Sequence, residues 1–108
     1  ESFFENVERD GKNVVLHFNP KPAGTMIIAC LYSEWRDAND GSPLLSFAAI
    51  TDEPPAEVAA AGHDRMIINL KPEHLNAWLQ PKGKSVEELQ RVLGDRQAPY
   101  YEHEVMAA

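Results

Sequence analysis

Thiol chemistry is nearly absent from this chain. Cys30 is the single cysteine among 108 residues. That excludes an internal disulfide and suits a reducing, cytoplasmic setting. Long apolar runs are absent too. None approaches the roughly 18 residues that a membrane-spanning helix needs, and these residues show no signal-peptide pattern. Basic residues are scarce, 10 Lys and Arg against 17 Asp and Glu, for a formal net charge of −7. Such a balance argues against non-specific DNA binding, which rests on neutralising phosphates. His17, His74 and His103 are scattered, with no second ligand at metal spacing, so no metal site is expected. Internal repeats, low-complexity tracts, linkers and nucleophile motifs are likewise missing.

What remains describes one small domain, residues 1–108. Hydrophobic content of 44% supports a packed core, and charged content of 25% is ordinary. Residues 9–12 read as a turn before a strand over residues 13–18, NVVLHF, which is bounded by Asn19-Pro20. Residues 25–32, TMIIACLY, form a continuous apolar run of strand length and predict a buried strand. Asp40-Gly41 marks a turn within residues 37–43, and residues 44–50 predict a third strand. Asp52 or Glu53 is placed to cap a short helix entered at Pro54-Pro55, carried by residues 56–61 and ended by Gly62. Residues 65–70 come next as a strand. Pro72 opens a second helix through Leu79, burying Leu75, Trp78 and Leu79. Ser85 and Glu88 form a capping box for a third helix, with Val86, Leu89, Val92 and Leu93 inward and Gly94 at its end. Strands first, with helices mixed in later, predict an α+β fold with a mainly antiparallel sheet and short flanking helices.

Gly62-His63-Asp64-Arg65-Met66 is the stretch richest in chemistry. A histidine can give or take a proton near neutral pH, and an arginine can hold a phosphate or carboxylate through two parallel hydrogen bonds. Asp64 and Arg65 could bias the protonation of His63. The same three residues would also suit a solvated turn between helix and strand. Glu5 stands beside Phe3 and Phe4, an apolar setting in which a carboxyl group can serve as a general acid. It would equally pass as a surface acid near a chain end. Thr51 could be no more than a strand-end hydroxyl. Cys30 lies in an apolar run, where a free cysteine behaves as a small inert hydrophobe. Trp35 and Trp78 fall in apolar patterns and are expected in the core. No mechanism attaches to Tyr100-Tyr101-Glu102-His103.

Thr51, then His63-Asp64-Arg65-Met66 with its apolar run, then Trp78-Leu79-Gln80-Pro81 resemble the SOS response-associated peptidase (SRAP) family. Ala29-Cys30-Leu31-Tyr32-Ser33-Glu34-Trp35 is similar to the family's AGLWExW strand, and Ser2-Phe3-Phe4-Glu5-Asn6 to its GFYEW motif. Four motifs in one order, over roughly residues 2 to 81, are far more specific than any one alone. Ser2, Asn6, Cys30 and Ile67 depart from the family's glycine, tryptophan, glycine and proline.

The resemblance implies that Glu5 and His63 are the acid–base pair, and that Thr51 and Arg65 lie on the DNA phosphate path. It further implies recognition of abasic sites in single-stranded DNA. Shielding would come from a covalent crosslink through an N-terminal cysteine that these residues lack, exposed by autoproteolytic removal of the initiator methionine. No cofactor is implied, and a monomer is expected. The chain is accordingly expected to be the C-terminal portion of such a domain, inactive alone. One alternative is a catalytically silent DNA- or protein-binding module of the same fold. Another is an unrelated hydrolase using His63 and Asp64, which would need a nucleophile touching His63.

Overall fold

The computed structural model describes residues 1–107. It is α+β, with mainly antiparallel strands and a few short helices. A three-stranded sheet joins the two ends of the described chain. Strands β1 (Phe3–Arg9) and β2 (Lys12–Lys21) make a hairpin with Val7 opposite Val14 and Glu5 opposite Leu16. Its two-residue turn is Asp10-Gly11, with φ of 52° and 71°, the left-handed pair that matches strand twist. The last strand in sequence, β7 (Tyr100–Val105), pairs with the other edge of β2. Between these come the two-stranded ribbon β3 (Cys30–Arg36) and β4 (Pro43–Ala49), and the short pair β5 (Thr51–Asp52) and β6 (Met66–Ile67). Helix α1 (Ala56–Ala60) links β5 to β6. A 3-10 turn, Pro72–His74, leads into α2 (Leu75–Leu79), and α3 (Val86–Gly94) comes after it.

Two buried clusters hold these elements together. Val7, Leu16, Phe18, Val58, Ala61, Met66 and Tyr101 join the three-stranded sheet to α1. Ala29, Ile68 and Leu70 form the second, with Ile27, Ile50, Trp78, Val92 and Leu93 against it. The segment from Met66 to Leu70 threads both. Its backbone is tied by Ala29 N–H to Ile68 O at 2.9 Å, Ile68 N–H to Ile50 O at 3.0 Å and Leu70 N–H to Ile27 O at 2.7 Å. The His63-Asp64-Arg65 stretch is therefore the lead-in to a segment anchored in both clusters.

Several expectations need correction. The sequence pattern predicts no strand over residues 3–9 and none in the tail, yet β1 and β7 complete the main sheet. Strand β2 runs on through Pro20, because β1 has ended at the Phe3–Phe18 pair and β2 is by then paired on one side only. The apolar run at residues 25–32 is not one buried strand. Ile28 makes an isolated bridge to Asn69, β3 starts only at Cys30, and Leu31 and Tyr32 are exposed. Trp35, Leu79 and Val86 are also exposed rather than in the core. Neither Asp52 nor Glu53 caps α1; Pro55 holds the N-cap position without a side-chain bond, and Asp52 instead binds Arg96 at 2.7 Å. The capping box of Ser85 and Glu88 is present as expected.

The shape is flat and open. The radius of gyration is 16.8 Å, where a compact chain of this length has about 13 Å. The β3–β4 ribbon accounts for much of this, with Leu31, Tyr32, Trp35, Leu44, Leu45 and Phe47 all exposed. Among the described residues no helix is long and apolar enough to cross a membrane.

Candidate active site

Side chains alternate along a strand, so Phe3, Glu5, Val7 and Arg9 share the core-facing side of β1. Phe3 stacks on Phe18 with ring centroids 5.1 Å apart. Phe4, which the sequence places beside Glu5, points to the opposite face and stacks on His17 at 4.4 Å. Of the two aromatic neighbours expected around Glu5, one alone shares its side of the sheet.

Helix α1 ends in two bonds that set the course of the chain beyond it. Gly62 N–H donates to Ala59 O at 3.0 Å, and His63 N–H donates to Val58 O at 3.3 Å. This is the pairing of a Schellman motif, with Gly62 in the left-handed position at φ 100°. His63 thus closes the motif with its backbone bonded to a fully buried residue. Its ring lies between two partners. Nδ1 is 2.6 Å from Arg65 O, and Nε2 is 3.1 Å from Glu5 Oε2. A carbonyl oxygen can accept but never donate, so the short contact requires the proton on Nδ1. The Arg65 N–H, 3.3 Å from the same nitrogen, is the weaker contact.

With Nδ1–H committed, Nε2 is the nitrogen left to trade a proton with Glu5. A hydrogen bond on the Nε2–Oε2 line needs a proton on one of these two atoms, since an unprotonated imidazole nitrogen and a carboxylate oxygen both only accept. The side chains are 17% and 33% exposed, sheltered yet reachable. Asp64 is solvent-exposed, and the carboxylate in contact with the His63 ring is that of Glu5.

Arg65 is bound to Thr51. Its Nε and Nη2 donate to Thr51 Oγ1 at 3.2 and 3.1 Å, and Nη2 also donates to Thr51 O at 2.9 Å. Thr51 is itself paired with Ile67 across β5 and β6. Three bonds hold the guanidinium against the strand end, and none of the hydrogen bonds among the described residues uses Nη1. All four residues picked out in sequence are therefore brought together. Glu5 contacts the His63 ring, the ring contacts the Arg65 carbonyl, and the Arg65 side chain contacts Thr51.

Sequence reading missed the bonds that brace this chain of contacts. Arg9 Nη2 donates to Ala61 O at 3.0 Å, and a Cβ on Gly62 would lie 3.8 Å from Val7 Cβ. The i, i+2, i+4 spacing of Glu5, Val7 and Arg9 is the signal that could have revealed this, once residues 3–9 are taken as a strand. Cys30 opens β3, half-buried, and its carbonyl accepts from Trp78 Nε1 at 3.2 Å. A hollow of about 420 Å³ beside Met66, Arg96 and Tyr100 includes none of the four site residues.

Residues 1–107 match the family described as SOS response associated peptidase (SRAP), and the chain belongs to that family. It is 34% identical over 94 residues to the abasic site processing protein YoaM of Bacillus subtilis (strain 168), covering 86% of this chain and 40% of YoaM. It is 32% identical over 94 residues to the abasic site processing protein YoqW, both in Bacillus subtilis (strain 168) and in Bacillus phage SPbeta, covering 86% of this chain and 41% of each. The chain spans about 40% of the length of these curated relatives. No solved structure matches.

Proposed function

We propose that the domain carrying this chain recognises abasic sites in single-stranded DNA and shields them by a covalent crosslink, with Glu5 and His63 moving the protons. Membership of the SRAP family and relatives named abasic site processing proteins support the substrate. The 3.1 Å contact between His63 Nε2 and Glu5 Oε2 is the observation that carries the chemistry.

The ring-opened abasic sugar presents an aldehyde. The α-amine of an N-terminal cysteine adds to its carbon, giving a carbinolamine. Protonated Glu5 gives its proton to the carbinolamine hydroxyl, water leaves, and a Schiff base remains. The cysteine thiol then adds to the same carbon and closes a thiazolidine, its proton returning to the Glu5–His63 pair. The proton count balances, since the pair lends one proton and recovers one. The same amine would be exposed by removal of the initiator methionine. Arg65, held by Thr51, offers Nη1 to a phosphate beside the lesion, positioning the strand rather than reading its sequence.

The test is incubation of the whole protein with single-stranded DNA carrying one abasic site, with the products resolved on a denaturing gel. A heat-stable shifted band with abasic DNA, and none with intact DNA, is expected. A complete, folded protein that binds the DNA without a shifted band would overturn the proposal and leave a silent binding module of the same fold.

A further inference from the structure

We infer that Arg9 is a positioning residue, one that holds His63 at proton-transfer distance from Glu5 by tying the end of α1 to β1. The inference rests on the proposed roles of Glu5 and His63. Three residues on one face of β1 meet three consecutive residues of the turn after α1, in opposite chain order. Glu5 meets His63, Val7 faces Gly62, where an added Cβ would lie 3.8 Å from Val7 Cβ, and Arg9 meets Ala61. The first contact is the chemistry. The second is the reach of a buried valine over a glycine with no side chain. The third is a charged donor on a carbonyl at a helix end, where unpaired carbonyls and the partial negative charge of the helix favour a cation.

The geometry makes the third contact matter to the first. Glu5 and Arg9 are four residues apart, about 13 Å along an extended strand. Contacts at both ends of that lever fix the turn's rotation about its middle, the Val7–Gly62 contact. Without Arg9 the turn keeps its apolar pivot and its Schellman bonds, and among the described residues the Glu5–His63 contact is the one polar contact left between β1 and the turn to oppose rocking about the pivot. A rock small enough to leave the fold intact would open the 3.1 Å Glu5–His63 contact. Arg9 itself is exposed, so its removal leaves no cavity.

Arg9→Met keeps most of the stem and removes the donor, whereas Arg9→Lys keeps a cation that can reach a carbonyl. Two readouts separate the outcomes. The first is the response of the His63 ring resonances to Glu5→Gln, measured by NMR in the whole protein. It is expected to be clear in the wild type and with Arg9→Lys, and lost with Arg9→Met. The second is the rate of crosslinking to abasic single-stranded DNA. Arg9→Met is expected to slow it roughly ten- to a hundredfold, the cost of misplacing a catalytic group by a fraction of an ångström to one ångström. It should add little in a Glu5→Gln background, because both changes break one contact. A folded Arg9→Met protein whose His63 ring still responds in full to Glu5→Gln would overturn the inference, and so would equal slowing in both backgrounds. Should no variant crosslink at all while the NMR response behaves as expected, the positioning role stands and the proposed reaction falls.

Discussion

At the scale of single residues, His63 is the side chain on which the proposed function turns. Its backbone is fixed by the Schellman bond to Val58 O, and its Nδ1 proton by Arg65 O. His63→Ala should slow crosslinking or its reversal by about 10²–10⁴-fold, the range for losing one acid–base group. Affinity for intact single-stranded DNA should change far less, since phosphate contacts dominate it. Arg65→Ala should do the reverse, weakening binding and reducing its salt dependence. Crosslinking rates read from gels and binding titrations at two salt concentrations check both, and an unchanged rate in folded His63→Ala would remove the acid–base assignment. Cys30→Ala should leave the rate nearly intact and cost roughly 1 kcal/mol of stability, because a half-buried side chain at the head of β3 is lost without a large cavity. The four candidate residues can be picked out because reactive side chains declare themselves by type and by motif order. The family resemblance names Glu5 as the partner of His63, while the residues alone offer Asp64, because a neighbour in sequence is visible where a contact from another element is not.

At the scale of elements, local signals that carry their own chemistry read true. Asp40-Gly41 makes the β3–β4 turn, with Gly41 at φ 72° and the Asp40 carboxylate accepting from the Ser42 hydroxyl and N–H. Ser85 and Glu88 bond reciprocally at the start of α3. Misreadings arose where tertiary partners decide. FFENVER alternates in the manner of a half-buried strand, yet its charges and chain-end place disguised it. TMIIACLY reads as one buried run although its second half forms an exposed ribbon. Gly62 is the element-scale position with the sharpest consequence. A Cβ there meets Val7 at ordinary contact distance, so space is not the obstacle. The obstacle is φ 100°, which L side chains avoid. Gly62→Ala should cost about 1–2 kcal/mol in denaturant unfolding and slow crosslinking as well, because the strained turn carries His63. Full stability in Gly62→Ala would mean that the Schellman turn is not held as described.

At the scale of the whole molecule, ion pairs join segments that hydrophobic contact alone leaves loosely tied, and they set a pH dependence. Asp52 of β5 accepts from Arg96, just past α3, which with the Glu53 N–H holds its carboxyl below the ordinary range. Asp95 bridges back to the start of α2, accepting from Lys71 and from His74, and is likewise held low, chiefly by Lys71. A carboxylate whose folded pKa is depressed gives its stabilisation above the unfolded value of about 3.9 and loses it as pH falls through the folded value. The share of these two carboxylates should therefore be constant from neutral pH down to about 5, then fall below about 4 as the unfolded chain takes up protons first. The Lys71 ammonium is pushed up by the same Asp95 contact. Its share is fully present below the unfolded value of about 10.4 and disappears as pH rises through the folded one. Asp52→Asn and Asp95→Asn cannot titrate, so each should lower the melting temperature at pH 7 slightly, as exposed pairs do, and flatten the acid limb. Asp95→Asn alone should also flatten the alkaline limb, because it removes the partner of Lys71. Asp40, held low by Ser42 in the β3–β4 turn, should leave a residual acid slope in both variants. Melting curves across pH for the three proteins decide the matter: three superimposable acid limbs would show that these two bridges are not what acid unties.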